Sequence, residues 1–207
     1  MKKGSASILG TVEALQIVEQ GTDKVFFKEC RNLSNAIYQL ILGHVHPDYA
    51  AVQNGSVWNI VERPTAAKIG DVEYKSLAAA VAAATAGQTV TLADDVEITE
   101  KIILAKSIIL DLNGHVITNK VNQARTFEFA GPDIDFTIDG TKAGSGMTIP
   151  EGWDNRNGSQ KSRGFSRTNY AGCNITLNGG TYTGKTQNGS FITTRYAGFT
   201  DANWNDE

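Results

Sequence analysis

From residue 88 onward one short pattern recurs: a small polar residue, an apolar one, a variable position, then Leu or Ile. It appears as Thr89-Val90-Thr91-Leu92, Ser107-Ile108-Ile109-Leu110, Asp135-Phe136-Thr137-Ile138 and Asn174-Ile175-Thr176-Leu177. The last three run on into Asp111, Asp139 and Asn178 and soon reach Gly114, Gly140 and Gly179. Alternation of this kind predicts short β-strands with one buried face. The Asp, Asn and Gly that follow suit bends, where left-handed backbone and side-chain-to-backbone hydrogen bonds are needed. Further strands are expected over 115–118, 126–129, 147–149 and 191–194. The starts at 89, 107, 135 and 174 are unevenly spaced, as coils of a β-solenoid with loops of differing length would be. Each coil alone exposes its apolar residues. Stacking that superimposes Val90/Leu92, Ile108/Leu110, Phe136/Ile138 and Ile175/Leu177 buries them.

Ahead of this region the period changes. Ser76, a run from Leu77 to Ala86 rich in alanine, and then Gly87 supply an N-cap, helix formers and a terminal glycine, predicting a helix over 76–86. Leu77, Ala80, Val81 and Ala84 form a narrow apolar stripe on it. Because a solenoid end leaves open strands and bare core, this helix is expected to cap the N-terminal end. A second segment has the same plan, with Asn32 capping a helix over 33–42 whose face is Leu33, Ile37, Leu40 and Ile41, before Gly43. Val25-Phe26-Phe27-Lys28 leads into that helix as Val72-Glu73-Tyr74-Lys75 leads into the other, so a strand-helix unit is expected twice. Ser56 to Glu62 alternates as a strand that Arg63-Pro64 ends. The chain is therefore divided into a small α+β segment, 1–63, and a solenoid, 64–207. Val12, Leu15, Ile17 and Val18 fit either a helix or a strand.

Composition narrows the partners. The 207 residues are 41% hydrophobic and 20% charged, which suffices for one or two buried cores. A net charge of -3, with no local cluster of Lys and Arg, leaves no electrostatic footprint for nucleic acid. No apolar run reaches transmembrane length, the longest being 77–86, so membrane insertion is not expected. Met1-Lys2-Lys3 is followed by a stretch too short and polar for a signal peptide. Cys30 and Cys173 are too few to define a disulfide framework, and whether they pair is left open.

Three stretches carry a family resemblance: residues 67–81, from Ala67-Lys68-Ile69-Gly70 through Ser76-Leu77-Ala78-Ala79-Ala80-Val81; residues 87–96, Gly87-Gln88-Thr89-Val90-Thr91-Leu92-Ala93-Asp94-Asp95-Val96; and Ile109-Leu110-Asp111-Leu112-Asn113-Gly114-His115-Val116-Ile117. Together they resemble the entry into pectate-lyase-like right-handed parallel β-helices of large bacterial cell-surface proteins. The match covers roughly residues 66–119. The resemblance implies a mainly β fold, a right-handed single-stranded parallel β-helix with a short N-terminal capping helix. It further implies an extracellular or cell-surface setting, attachment through other domains, and recognition of glycans or host surfaces. Fold resemblance of this kind does not assign an activity.

The candidate chemistry is scattered. Lyases on this fold need acidic residues around calcium with an Arg or Lys base, and hydrolases need two or three carboxylates facing one cleft. Asp94 and Asp95 are adjacent and read as turn residues. Asp111 and Asp139 hold equivalent places on successive rungs; they could form an acidic ladder, but bend stabilisation is the favoured use. Asn113-Gly114-His115 lacks partner acidic motifs, and His115 reads as an exposed strand residue. His44-Val45-His46-Pro47-Asp48 could place two imidazoles on one side of an extended strand with a carboxylate nearby, yet nothing completes a tetrahedral set, and a solvated turn is the favoured reading. No catalytic residue, metal or cofactor is therefore assigned. The longest polar insertion, 150–164, reads either as a disordered loop or as a ligand loop, in which Trp153 offers a plate for a sugar ring with Asn155, Arg156 and Arg163 as donors. Asn32, Asn54, Asn157, Asn174 and Asn188 begin N-x-S/T sequences, of which three are Asn-Gly turns. The function expected is non-catalytic display, adhesion or glycan binding. The alternatives are a polysaccharide lyase or glycoside hydrolase, and a viral tail or fibre.

Overall fold

Short β-branched runs between Gly, Asn and Asp leave little sequence that can hold a helix, and the structure is mainly β. It is a computed structural model that describes residues 15–18, 25–28, 30–121, 125–150, 166–168, 170–184 and 192–194. The chain divides into two compact units, Met1–Pro64 and Thr65–Glu207.

In the first unit, β1 (Leu15–Val18) pairs antiparallel with β2 (Val25–Lys28). Then come β3 (Leu33–Ser34), helix α1 (Asn35–Ile41), a 3-10 turn (Leu42–His44), and the hairpin of β4 (Tyr49–Asn54) and β5 (Val57–Glu62). Strands β3, β5 and β4 form an antiparallel sheet in that order. The helix starts later than the sequence pattern suggests. Asn32 does not cap it: its backbone takes φ 53 and its N–H donates to Asn59 Oδ1 at 3.1 Å. Leu33 and Ser34 are extended and pair with Trp58 and Val57, so Ser34 becomes the N-cap and its Oγ accepts the Ile37 N–H. This later start changes the buried face. Tyr38 and Ile41 enter the core with Cys30, Leu33 and Ile60, whereas Leu40, expected on the apolar face, is 80% exposed. The Trp58 ring stacks on Tyr38 with centroids 4.0 Å apart.

The second unit opens with a hairpin of β6 (Ala67–Ile69) and β7 (Val72–Tyr74), turning at Gly70 with φ 57, followed by α2 (Leu77–Ala83). Twelve strands follow. They are β8 (Thr89–Leu92), β9 (Val96–Ile98), β10 (Ile102–Leu104), β11 (Ile108–Asp111), β12 (Val116–Asn119), β13 (Phe127–Phe129), β14 (Asp135–Gly140), β15 (Gly146–Thr148), β16 (Ser166–Thr168), β17 (Asn174–Gly179), β18 (Thr181–Thr183) and β19 (Ile192–Thr194). Every third strand returns to the same sheet. Strands β8, β11, β14 and β17 form one parallel ladder, β9, β12, β15 and β18 a second, and β10, β13, β16 and β19 a third.

Register follows the apolar pattern with one departure. Ile108 pairs with Phe136 and Leu110 with Ile138, and these pair in turn with Ile175 and Leu177. At the first step, however, Leu110 lies beside Val90, not Leu92. The connection from α2 sets this offset, because Gly87 N–H donates to Ser107 O and Ile109 N–H donates to Gln88 O, seating Gln88 beside residues 107–109. A slip of two residues keeps every side chain on its own face, so the apolar interior survives it. Val90, Leu104, Leu110, Leu112, Ile117, Phe127 and Ile138 are fully buried there.

The start of the ladders is covered in two ways. β6 pairs antiparallel along β8, and α2 packs on β6, β7, β8 and β10 with Leu77, Ala80, Val81 and Ala84 buried. Ser76 Oγ accepts the Ala79 N–H at the start of the helix. The helix ends at Ala83, short of the expected 86, because Gln88 Oε1 takes the Thr85 N–H while Lys106 Nζ donates to the carbonyls of Ala84, at 2.6 Å, and Ala82, at 3.2 Å.

Alternation along β11 gives a direct test. Leu110→Ala should cost about 2–5 kcal/mol, as large-to-small changes in closed cores do, while Ile109→Ala, at a side chain 37% exposed, should cost less than about 1 kcal/mol. Urea unfolding midpoints of the two variants measure the difference, and equal losses would contradict the alternating burial.

Candidate functional site

Trp153, Asn155, Arg156 and Arg163, with Asp154 among them, lie outside the described residues. Their segment connects β15 to β16, between the second and third ladders. Tyr170, 41% exposed, stands in the next connection, just before β17.

The carboxylates at rung ends are described, and they serve bends. Asp111 and Asp139 are neighbours in register, continuing through Asn178 on one side and Thr91 on the other. Asp111 Oδ1 accepts the Asn113 N–H at 2.8 Å. Asp139 Oδ1 accepts the Thr141 N–H at 3.0 Å and the Thr141 hydroxyl at 2.7 Å. These two bonds hold the Asp139 carboxyl below its ordinary pKa, the backbone bond most strongly. Asp94 and Asp95 occupy the bend between β8 and β9, where Asp94 Oδ1 accepts the Asp95 N–H and Asp95 Oδ1 accepts the Val116 N–H, at 2.8 and 2.9 Å.

A corner assembles around Asn113. Its Nδ2 donates to Leu92 O at 2.9 Å, its Oδ1 accepts from Lys142 Nζ at 2.7 Å, and the following Gly114 N–H donates to Ser145 Oγ at 2.8 Å. Three successive passes of the chain are joined there. His115 is not an exposed strand residue. It precedes β12, its side chain is 30% exposed, and its Nδ1 lies 3.4 Å from Asp95 Oδ1, because the bend that Asn113 and Gly114 make turns residue 115 toward the rung before.

Nor do the two imidazoles of the first unit share an extended strand. His44 ends the 3-10 turn and is exposed, while His46 is buried, its Nδ1 accepting the Asp48 N–H at 3.2 Å and its ring meeting Tyr49 edge-on. Among the described residues, no three His, Cys, Asp or Glu side chains gather where they could hold a metal. Cys30 and Cys173 are both buried thiols. Burial pushes the Cys30 thiol up in pKa, and Cys173 Sγ donates to Gly131 O at 3.2 Å.

Sequence reasoning missed a row on the second ladder. Glu97, Thr118, Thr148 and Thr183 are in register, with Thr183 Oγ1 donating to Thr148 Oγ1 at 2.9 Å and Lys120 paired to Glu97 at 2.6 Å. The outer faces thus present hydroxyl, amide and carboxylate groups at a strand spacing of roughly 4.8 Å. Such a surface makes many dispersed polar contacts and does not converge on one atom. No protein-family profile, curated protein or solved structure significantly matches the chain.

Asp139 yields a prediction with a defined sign. Its folded pKa lies below the unfolded value of about 3.9, so its contribution is fully present above that value and is lost as pH falls through the lowered folded value. Asp139→Asn keeps an acceptor oxygen without the charge. The wild-type protein should therefore be the more stable at neutral pH, and the gap should close in acid. Unfolding midpoints measured against pH would show it; a gap constant to the lowest pH would refute the assignment.

Proposed function

We propose that the second unit is a run of coils of a right-handed parallel β-helix, carried at a bacterial cell surface for display, adhesion or glycan binding, and without catalytic activity of its own. The single observation that carries the reading is the return of every third strand to pair parallel with its predecessor, four passes deep. A chain built this way holds long polar faces and lets loops of different length leave between strands. The resemblance of residues 66–119 to pectate-lyase-like β-helices of cell-surface proteins supports the setting.

The non-catalytic reading is supported by where the carboxylates are spent. Asp111 and Asp139 would have to meet Asp154 and Arg163 in one groove to make a lyase or hydrolase. Instead both described carboxylates bind the backbone two residues on. In this reading the 150–164 insertion supplies the ligand contact, with Trp153 stacking on a sugar ring and Asn155, Arg156 and Arg163 donating to its hydroxyls.

Two assays on the same protein test this. A glycan array should show binding, and incubation of any bound polysaccharide with and without calcium should release no unsaturated product. Trp153→Ala should weaken that binding by roughly tenfold or more, the scale expected of an aromatic anchor, with the unfolding midpoint unchanged. Product formation would replace this function with the lyase reading, and no glycan binding at all would remove it.

A further inference from the structure

The chain contains five Asn-Gly pairs, beginning at Asn54, Asn113, Asn157, Asn178 and Asn188, and three of them, at 54, 113 and 178, lie in described residues. Asn-Gly is chemically special because glycine has no Cβ to obstruct its own backbone nitrogen from approaching the preceding side-chain amide carbon. Whether that approach occurs depends on how the pair is held.

At Asn113 it is blocked from both partners. The side chain is fixed at Nδ2 by Leu92 O and at Oδ1 by Lys142, and the nitrogen that would attack, Gly114 N, is engaged with Ser145 Oγ. Asn178 is set within β17, in register with Asp139, and Gly179 is packed so closely that an added Cβ would lie 3.3 Å from Gly140 O. The third pair differs on every count. Asn54 ends β4 and is exposed, as is Gly55, which turns the chain with φ 60 and has nothing within 4 Å of its missing Cβ. Among the described residues no hydrogen bond engages the Asn54 side chain or the Gly55 N–H.

We infer that Asn54 is a site of self-catalysed covalent modification in the folded protein, passing through a cyclic succinimide to aspartate or isoaspartate. The Gly55 nitrogen gives its proton to solvent base and attacks the Asn54 side-chain carbonyl carbon. A C–N bond forms, and the side-chain nitrogen takes up a proton and leaves as ammonia. Water then adds to one of the two ring carbonyls. Opening at one returns an ordinary peptide bond with an aspartate; opening at the other routes the main chain through the former side-chain carbon. No electrons are exchanged, and water is the only co-reactant. Either product places a negative charge at the tip of the β4–β5 hairpin. Isoaspartate also inserts a main-chain atom at the Asn54–Val57 pair, next to the Gln53–Trp58 pair that seats Trp58 against Tyr38.

The test uses the whole chain, incubated folded and, separately, in denaturant, in mildly alkaline buffer. Peptide mapping that separates asparagine, aspartate and isoaspartate follows each pair. In the folded chain Asn54 should convert roughly tenfold or more faster than Asn113, a barrier difference of the size that lost hydrogen bonds supply. Denaturant should bring the two rates together by accelerating Asn113. Asn54→Gln, which lengthens the side chain and disfavours the ring, should abolish the acidic product at this position while leaving Asn113 unchanged. An Asn54 that stays intact in the folded chain over the time in which the denatured chain converts would overturn the inference. So would a ratio of the two rates that denaturant does not alter.

Discussion

Everything in the second unit depends on lateral burial between strands that are too short to stand alone. Strands of three to six residues bury little by themselves, and an isolated pair is marginal in water. What makes them persist is that Leu110 finds Val90 on one side and Ile138 on the other, and Ile117 finds Val96 and Met147. The hydrophobic gain therefore belongs to the stack and to no single rung. Burial is uneven among the described passes. Ile175, Leu177 and Tyr182 are only partly buried, whereas their register neighbours Phe136, Ile138 and Met147 are closed off.

A stack of this kind needs a beginning, and the first rung has no predecessor of its own type. Two different devices meet that requirement. β6 answers the unpaired backbone of β8 by running along it antiparallel, and α2 covers the apolar ends with alanines small enough to approach closely. Lys106, arriving from just before β11, then binds the last carbonyls of the helix, so the second pass of the chain stabilises the element that covers the first. Helix, hairpin and rung are cooperative for this reason.

The parts of this arrangement legible in sequence were those governed by local period. Val90, Ile108, Phe136 and Ile175 announce strands because polar and apolar residues alternate around them, and Ser76 announces a helix because its hydroxyl can cap one. β9 and β10 left weaker marks: Val96-Glu97-Ile98 and Ile102-Ile103-Leu104 are three residues each, too short for periodicity to separate from a loop. β4 was missed because Tyr49-Ala50-Ala51-Val52 alternates poorly, and only its pairing to β5 makes it a strand. The α1 boundary failed for a different reason. Asn32 and Ser34 are both good caps, and the choice was made by Trp58 and Val57, which pull Leu33 and Ser34 into a sheet and so exclude them from the helix. A long-range pairing of that kind has no local signature.

For the candidate site the limit is of the same type but sharper. Sequence could put Asp111 and Asp139 at equivalent positions, and their register bears this out. It favours bend acceptors over an acidic ladder only because Asp so commonly serves turns, since the two uses have identical spacing. The hydrogen bonds decide it: a carboxylate already receiving a backbone N–H, and in Asp139 a hydroxyl too, is held to its own turn. Were both groups instead directed outward with no internal donors, two carboxylates one strand spacing apart would repel, and one of them would be raised in pKa or would need a cation. The opposite direction of the Asp139 shift follows from the donors it has. The Asp111 and Asp139 carboxylates are accordingly committed to backbone and Glu97 to Lys120, while the threonine hydroxyls in the same rows carry no charge.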